Sequence, residues 1–257
     1  AQMPLTPNDE QKRAIQNILK ARHSYHAFLL DGLTGSGKTE VYLQVRQEVL
    51  RQGKQVLVLV PEIGLTPQTL VRFKSRLPVP VHVLHSNLSD AARMQAWAAM
   101  AEGNARILVG TRSAVFASLP EAGLIIVDEE HDLSYKQQDG FHYHARDVAT
   151  FRAKALNIPI ILGSATPSLE SLNNVETGRY QLHRLSKRAG NALPPMVKLV
   201  DVRKRKLIQG LGQELLDGIR QCLDKGEQAL IFKNRRGYAP ALLCHDCGFT
   251  AMCPRCD

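Results

Sequence analysis

The segment Gly32-Leu-Thr-Gly-Ser-Gly-Lys38-Thr39 fits the spacing G-x-x-x-x-G-K-[ST]. With Gly32, Gly35 and Gly37 the backbone wraps tightly, and successive N–H groups, from Thr34 to Ser36 and beyond, point inward at an anion. An apolar run, Ala27–Leu30, comes before the loop and a helix-forming stretch, Lys38–Gln52, after it, so the positive end of a helix adds to the same field. In such a loop the lysine, Lys38, reaches the β- and γ-phosphates of a nucleotide and the hydroxyl of Thr39 ligates Mg²⁺. A glycine-rich turn that holds a lysine by chance is the plainer reading, and the strand and helix on either side argue against it.

A second chemical segment is Leu124-Ile-Ile-Val-Asp128-Glu129-Glu130-His131, an apolar strand that ends in carboxylates. A strand end of this kind places Asp128 where it can hold Mg²⁺ and Glu129 where it can orient or deprotonate a water. Acids here also suit a helix N-cap; Lys38, 90 residues upstream, favours the catalytic reading. Directly after it, Asp132–Arg146 holds Tyr135, Phe141 and Tyr143 among Lys136 and Arg146. Aromatic rings stack on unpaired bases at about 1–3 kcal/mol each while cations hold phosphates. The alternative is that the rings anchor the loop on its own domain.

Four of the five cysteines form Cys244-x-x-Cys247 and Cys253-x-x-Cys256, a spacing in which each pair can bite one tetrahedral Zn²⁺. Five residues between the pairs is short for a single site built from both. A redox pair is a poorer alternative. Cys222, between Ile219 and Leu223, reads as a core residue of a helix. Neither His85 nor His131 is placed with the cysteines.

These groups need a frame. Near-continuous apolar runs recur at Ala27–Leu30, Val56–Val60, Val81–Leu84, Arg106–Val109, Leu124–Val127 and Ile158–Leu162, and helix-like stretches at Lys38–Gln52, Ser89–Glu102, Asp147–Leu156 and Ser168–Gly178 lie between them. This alternation predicts an α/β fold, a parallel sheet with helices on both faces. After about Arg184 the pattern changes. Residues 184–206 hold eight Lys or Arg, one acid (Asp201) and the pair Pro194–Pro195, which reads as a basic connector. It is either a solvated linker or part of a path for a polyanion. A helix near Gly212–Lys225 and a strand at Ala229–Phe232 would begin a second α/β unit. The formal charge of +9 over 257 residues also fits a polyanionic partner. No apolar run reaches the length of a membrane span and the first residues have no signal-peptide pattern, so a cytoplasmic location is expected.

Together the motifs resemble the superfamily 2 helicases. Asp128-Glu-Glu-His131 is followed by Gly163-Ser164-Ala165-Thr166-Pro167. Gln11, in Leu5-Thr-Pro-Asn-Asp-Glu-Gln11, stands where these proteins place a glutamine that reads adenine, and Gly110-Thr111-Arg112-Ser113 at the position of a DNA-backbone motif. Within the superfamily, the chain resembles over its whole length the replication-restart helicases of the bacterial primosome. The resemblance rests on Asp31-Gly-Leu-Thr-Gly-Ser-Gly-Lys-Thr-Glu-Val-Tyr42, Val60-Pro-Glu-Ile-Gly-Leu-Thr-Pro67, Tyr135-Lys-Gln-Gln138, Gly163-Ser-Ala-Thr-Pro-Ser-Leu-Glu170, Asn234-Arg-Arg-Gly237 and Cys244-His-Asp-Cys247.

That resemblance implies a RecA-like, P-loop NTPase lobe over 1–185, a connector over 186–210 and the start of a second lobe over 211–257. It implies ATP and Mg²⁺, a 3′-to-5′ DNA helicase acting on single-stranded and forked DNA, and replication-restart and primosome proteins as partners. It gives Lys38, Asp128, Glu129 and His131 catalytic roles, and Thr111, Arg112, Ser113, Tyr135, Lys136, Phe141, Tyr143, Ser164 and Thr166 roles in DNA binding or its coupling to hydrolysis. In that family eight cysteines hold two zinc ions in interleaved fashion, so the four here imply zinc ligands that lack partners, with weak or no zinc. The first residue is not Met and the last cysteine is penultimate, so the chain reads as a fragment that binds nucleotide but turns it over poorly, lacking a late arginine. Two rivals remain at this level: a nucleotide-dependent DNA-bound scaffold or loading switch without unwinding, and a double-strand translocase.

Overall fold

The computed structural model describes residues 6–65, 79–187, 196–203, 207–208, 210–232, 242–243 and 250–251. It divides into two units, Ala1–Leu193 and Pro194–Asp257.

In the first unit β1 (Ala27–Gly32), β2 (Gln55–Leu59), β3 (Val81–Leu84), β4 (Ile107–Gly110), β5 (Ala122–Val127), β6 (Ile160–Ser164) and β7 (Tyr180–Leu185) form one sheet. Their order is β3-β4-β2-β5-β6-β1-β7, and every neighbouring pair is parallel. Side chains alternate across a strand, so each strand feeds two cores. Phe28, Leu30, Val56, Val58, Ile126 and Ile161 face α1 (Asp9–Lys20) and α2 (Lys38–Arg51). Leu29, Leu57, Leu59, Ile125, Val127 and Leu162 face α3 (Asp90–Ala101) and α4 (Ala145–Ala155), and Leu172 and Val175 of α5 (Leu169–Glu176) join that side. Burial on both faces is why the strands read as unbroken apolar runs rather than alternating ones.

Two elements escaped the periodicity. The helix α1 opens with a capping box: the Asn8 side chain accepts from Gln11 N–H, and the Gln11 side chain accepts from Asn8 N–H. The spacing Asn8-x-x-Gln11, with Asp9 and Glu10 in the first turn, is a readable helix start. The strand β7 lies at the sheet edge and reads Tyr-Gln-Leu-His-Arg-Leu; an edge strand has one neighbour and tolerates polar side chains, which hides it.

In the second unit the described elements are α6 (Gln213–Asp224) and an antiparallel pair, β8 (Leu242–Leu243) with β9 (Thr250–Ala251). The strand expected at Ala229–Phe232 is absent. Leu230 is 97% exposed there, and among the described residues no strand pairs with this segment to hold it extended. Cys222 is half-buried and donates to the Gln228 carbonyl oxygen at 3.3 Å rather than sitting in a core; α6 buries no residue.

Candidate active site

The sheet order places β5, β6 and β1 side by side, so the three motif-bearing loops leave neighbouring strands at one edge. After β1 the loop turns through left-handed Gly35 and Gly37, with φ of +81° and +82°, a region open to glycine at little cost. Gly37 is also hemmed in from outside: a Cβ there would overlap Gln11 Nε2. Gln11 itself is buried and donates from Nε2 to the Ser36 carbonyl at 2.8 Å. The glutamine expected to read a base thus lies against the glycine-rich loop. Lys38 Nζ donates to the Gly32 carbonyl at 2.9 Å and stands 3.8 Å from Glu129 Oε1. Ser36 Oγ is buried with no hydrogen-bond partner, an acceptor and donor aimed into the loop. Thr34 is exposed and Thr39, in the first turn of α2, half-buried.

Asp128 follows β5. Its N–H donates to the Leu59 carbonyl at 2.9 Å, which holds the chain to β2 for one residue beyond the strand. Its Oδ1 accepts from the Tyr42 hydroxyl at 3.0 Å. Tyr42 lies one turn along α2 from Lys38, is fully buried, and fills the space where a side chain on Gly163 would be; a Cβ there would overlap the hydroxyl. Burial, then the neighbouring Glu129 charge, push the Asp128 carboxyl above its ordinary range. Glu129 adopts φ of +46°, uncommon for a residue with a Cβ, and this backbone turn presents its carboxylate to Lys38 on one side and to His131 Nδ1, at 3.7 Å, on the other. The pattern D-E-x-H gives no hint of Tyr42, whose signal is only its i+4 spacing from Lys38.

Glu130 and His131 tie this strand end to the loop after β6. Glu130 is fully buried and accepts from Ser168 N–H at 2.8 Å, Ser171 Oγ at 2.9 Å and Arg146 at 3.1 Å. His131 Nδ1 and Ser164 Oγ lie 2.7 Å apart, and Ser164 Oγ accepts from Thr166 N–H at 2.9 Å. Ser164 is fully buried, so it faces His131 rather than a strand of DNA; Thr166 is exposed. Arg146 is also no surface cation. Its guanidinium is shared among Glu130, Ser168 and Asp147, and although burial opposes its charge, Asp147 and then Glu130 raise its pKa.

The loop over 132–146 divides by burial. Tyr135 is fully buried and its hydroxyl donates to the Asp128 carbonyl at 2.6 Å, so it supports the acidic strand end and does not stack on a base. Phe141 is 79% exposed and Lys136 is exposed. The Phe141 and Tyr143 rings stack at 6.1 Å, and Tyr143 meets Phe116 edge-on at 4.9 Å, a three-ring cluster to which the sequence offered no pointer at Phe116. Thr111 is buried, with its N–H on the Leu84 carbonyl, and Ser113 is exposed. Arg112 donates to the carbonyls of Ser134 and Lys136 at 3.0 and 3.2 Å and so fastens this turn to the aromatic loop. Thr111, Arg112, Ser113, Gln137 and Tyr143 line a cleft of about 220 Å³.

Cys244, Cys247, Cys253 and Cys256 lie outside the described residues, as do Asn234–Gly237. Among the described residues no group of three or more His, Cys, Asp and Glu could hold a metal, and no helix is long and apolar enough to cross a membrane.

A model of the DEAD/DEAH box helicase family matches residues 8–175. The chain is 52% identical over 257 residues to the replication restart protein PriA of Haemophilus influenzae, covering all of this chain and 35% of that protein. It is 45% identical over 260 residues to the PriA of Bacillus subtilis, covering 99% of this chain and 32% of that protein. The chain therefore spans about a third of the length of these relatives. Among solved structures, RecG bound to a three-way DNA junction is similar with a TM-score of 0.58 and 22% identity, over 87% of this chain and 29% of RecG. The helicase MrfA bound to DNA and AMPPNP is similar with a TM-score of 0.57 and 17% identity, over 84% of this chain and 32% of MrfA. Both likenesses are of fold.

Proposed function

Because this chain belongs to the DEAD/DEAH box helicase family, we propose that it carries the ATP-binding lobe of an ATP-dependent 3′-to-5′ DNA helicase, cytoplasmic and acting in restart of stalled replication forks. The observation that carries this reading is the convergence at one sheet edge of Lys38, Asp128 and Glu129, with His131 bonded onward to Ser164. The likeness to PriA over the whole chain supports the replication setting, forked DNA as substrate and primosome proteins as partners.

In this reading the amides of 33–39 and Lys38 hold the phosphates, with Lys38 leaving the Gly32 carbonyl to do so. Gln11 exchanges the Ser36 carbonyl for the adenine edge. The donors fit a hard cation: the Asp128 carboxyl is raised by burial and by Glu129, which marks a site short of positive charge, and Asp128 and Thr39 offer oxygen ligands. Mg²⁺, when bound with ATP, supplies charge neutralisation at the phosphates. Glu129 orients and deprotonates the attacking water. His131 and Ser164 carry the state of the site to the Thr166 turn, and Arg112 links the cleft beside Tyr143 to the loop that Tyr135 anchors under Asp128. The same reading makes the four cysteines zinc ligands by role, with weak or no zinc expected on this chain; one tightly held zinc per chain would overturn the interleaved account.

The deciding experiment is DNA-stimulated phosphate release and strand displacement on substrates with opposite overhangs, in the full-length protein with and without Glu129→Gln. We expect Glu129→Gln to lower phosphate release by about 10²–10⁴-fold and to leave ATP binding within about twofold. Hydrolysis without displacement would favour a DNA-bound loading switch. Unchanged hydrolysis in Glu129→Gln would remove the catalytic assignment.

A further inference from the structure

We propose that Glu10 is a positioning residue, a carboxylate clamp that joins the nucleotide-reading turn of α1 to the point where the chain leaves β7, so that nucleotide occupancy is felt at that exit. The clamp is three hydrogen bonds to one side chain from residues 176 and 177 positions away: Ser186 N–H to Oε2 at 2.8 Å, Ser186 Oγ to Oε1 at 2.6 Å, and Lys187 N–H to Oε2 at 3.3 Å. Past an edge strand these donors would ordinarily face water, and here one carboxylate gathers them. The Ser186 hydroxyl, and then the two amides, hold the Glu10 carboxyl below its ordinary range.

What makes the clamp more than a surface contact is its neighbour. Gln11, the next residue, donates to the Ser36 carbonyl of the phosphate loop, and its other amide atom closes the capping box with Asn8. Glu10 and Gln11 therefore share the first turn of a twelve-residue helix, with one side chain on the loop and the other on the chain exit. The exit is also stitched to the start of that loop. Leu33 N–H donates to the Leu185 carbonyl at 3.4 Å, and Arg184 Nε stands 3.6 Å from Asp31 Oδ2. If Gln11 gives up Ser36 for an adenine edge, the capping turn must readjust, and Glu10 is part of that turn and bonded to the exit. The inference rests on the nucleotide-site reading and adds to it a specific wire between two places that the motifs leave unconnected.

The test is amide hydrogen exchange at Ser186 and Lys187 in the full chain, with and without AMPPNP, alongside AMPPNP affinity. We expect AMPPNP to change exchange at both amides by about threefold or more. Glu10→Ala should speed their exchange by about tenfold and abolish the response to AMPPNP, with affinity shifted by no more than the factor of that response, as linkage requires. Glu10→Gln, whose carbonyl still accepts two N–H groups and whose amide can donate to Ser186 Oγ, should behave like the parent. Ser186→Ala, which leaves α1 untouched, should show part of the effect. The clamp is overturned if AMPPNP binds without altering the two amides, if Glu10→Ala leaves their exchange unchanged, or if Glu10→Ala weakens AMPPNP as much as Gln11→Ala does. Failure of AMPPNP to bind at all would sink the nucleotide-site reading, and this inference with it.

Discussion

Asp128 shows how one residue can serve a site at a cost to the fold. Its native carboxyl holds a proton more tightly than an unfolded chain does, chiefly because it is buried and secondly because Glu129 is beside it. A group whose native pKa is raised contributes stability below its unfolded pKa and loses that contribution as pH rises through the native value. Above the unfolded pKa, Asp128 is therefore a cost to the fold. Asp128→Asn keeps an acceptor for the Tyr42 hydroxyl and removes the charge. We expect it to raise the melting temperature at pH 7 by about 2–4 °C, with the gain shrinking toward pH 4. An equal or lower melting temperature at pH 7 would show that Asp128 carries no such cost. The type and spacing of Lys38, Asp128 and Glu129 were legible in the sequence, and the structure does bring them together. Tyr42 and Tyr135 were not assigned to this site, because a tyrosine that braces a carboxylate from beneath and one that stacks on a base look the same in one dimension.

At the scale of elements, the strand end after β5 is held by what it contacts on the loop after β6. Glu130 was legible only as the variable position of D-E-x-H, and it proves to be a fully buried carboxylate whose partners Arg146, Ser168 and Ser171 come from two helix starts. Removing Glu130 takes from Arg146 its buried carboxylate and from the Ser168 N–H and the Ser171 hydroxyl their acceptor, and such a loss is far costlier than the pair is stabilising. Glu130→Ala should destabilise the first unit by about 3–5 kcal/mol in urea unfolding. A change below about 1 kcal/mol would mean that Arg146 finds water instead. The six apolar strands were legible from their runs, since both faces of a parallel strand are covered. The edge strand β7 and the helix α1 were missed, since each carries polar residues wherever it meets solvent or the loop.

At the scale of the whole molecule, the charge of +9 is a poor guide until local pairing is known. Arg203 grips Asp201 through Nε at 3.0 Å and a terminal nitrogen at 2.7 Å, so its charge is already answered. If the connector lies on a DNA path, Arg203→Gln should leave the slope of log affinity against log salt nearly unchanged. Neutralising Lys204, Arg205 and Lys206 together should reduce that slope by about 2 for single-stranded DNA. No change in the triple variant would make the segment a solvated linker. The sequence by itself determined the class of fold and pointed to Lys38, Asp128 and Glu129 as residues that meet, because hydrophobic period and motif spacing are local properties of a chain. Tertiary structure alone decided which rings are buried supports and which are exposed, that Arg146 is a buried partner of Glu130, and that Glu10 meets Ser186, because burial and pairing depend on which strands become neighbours, and the order β5-β6-β1 brings together loops that lie far apart along the chain.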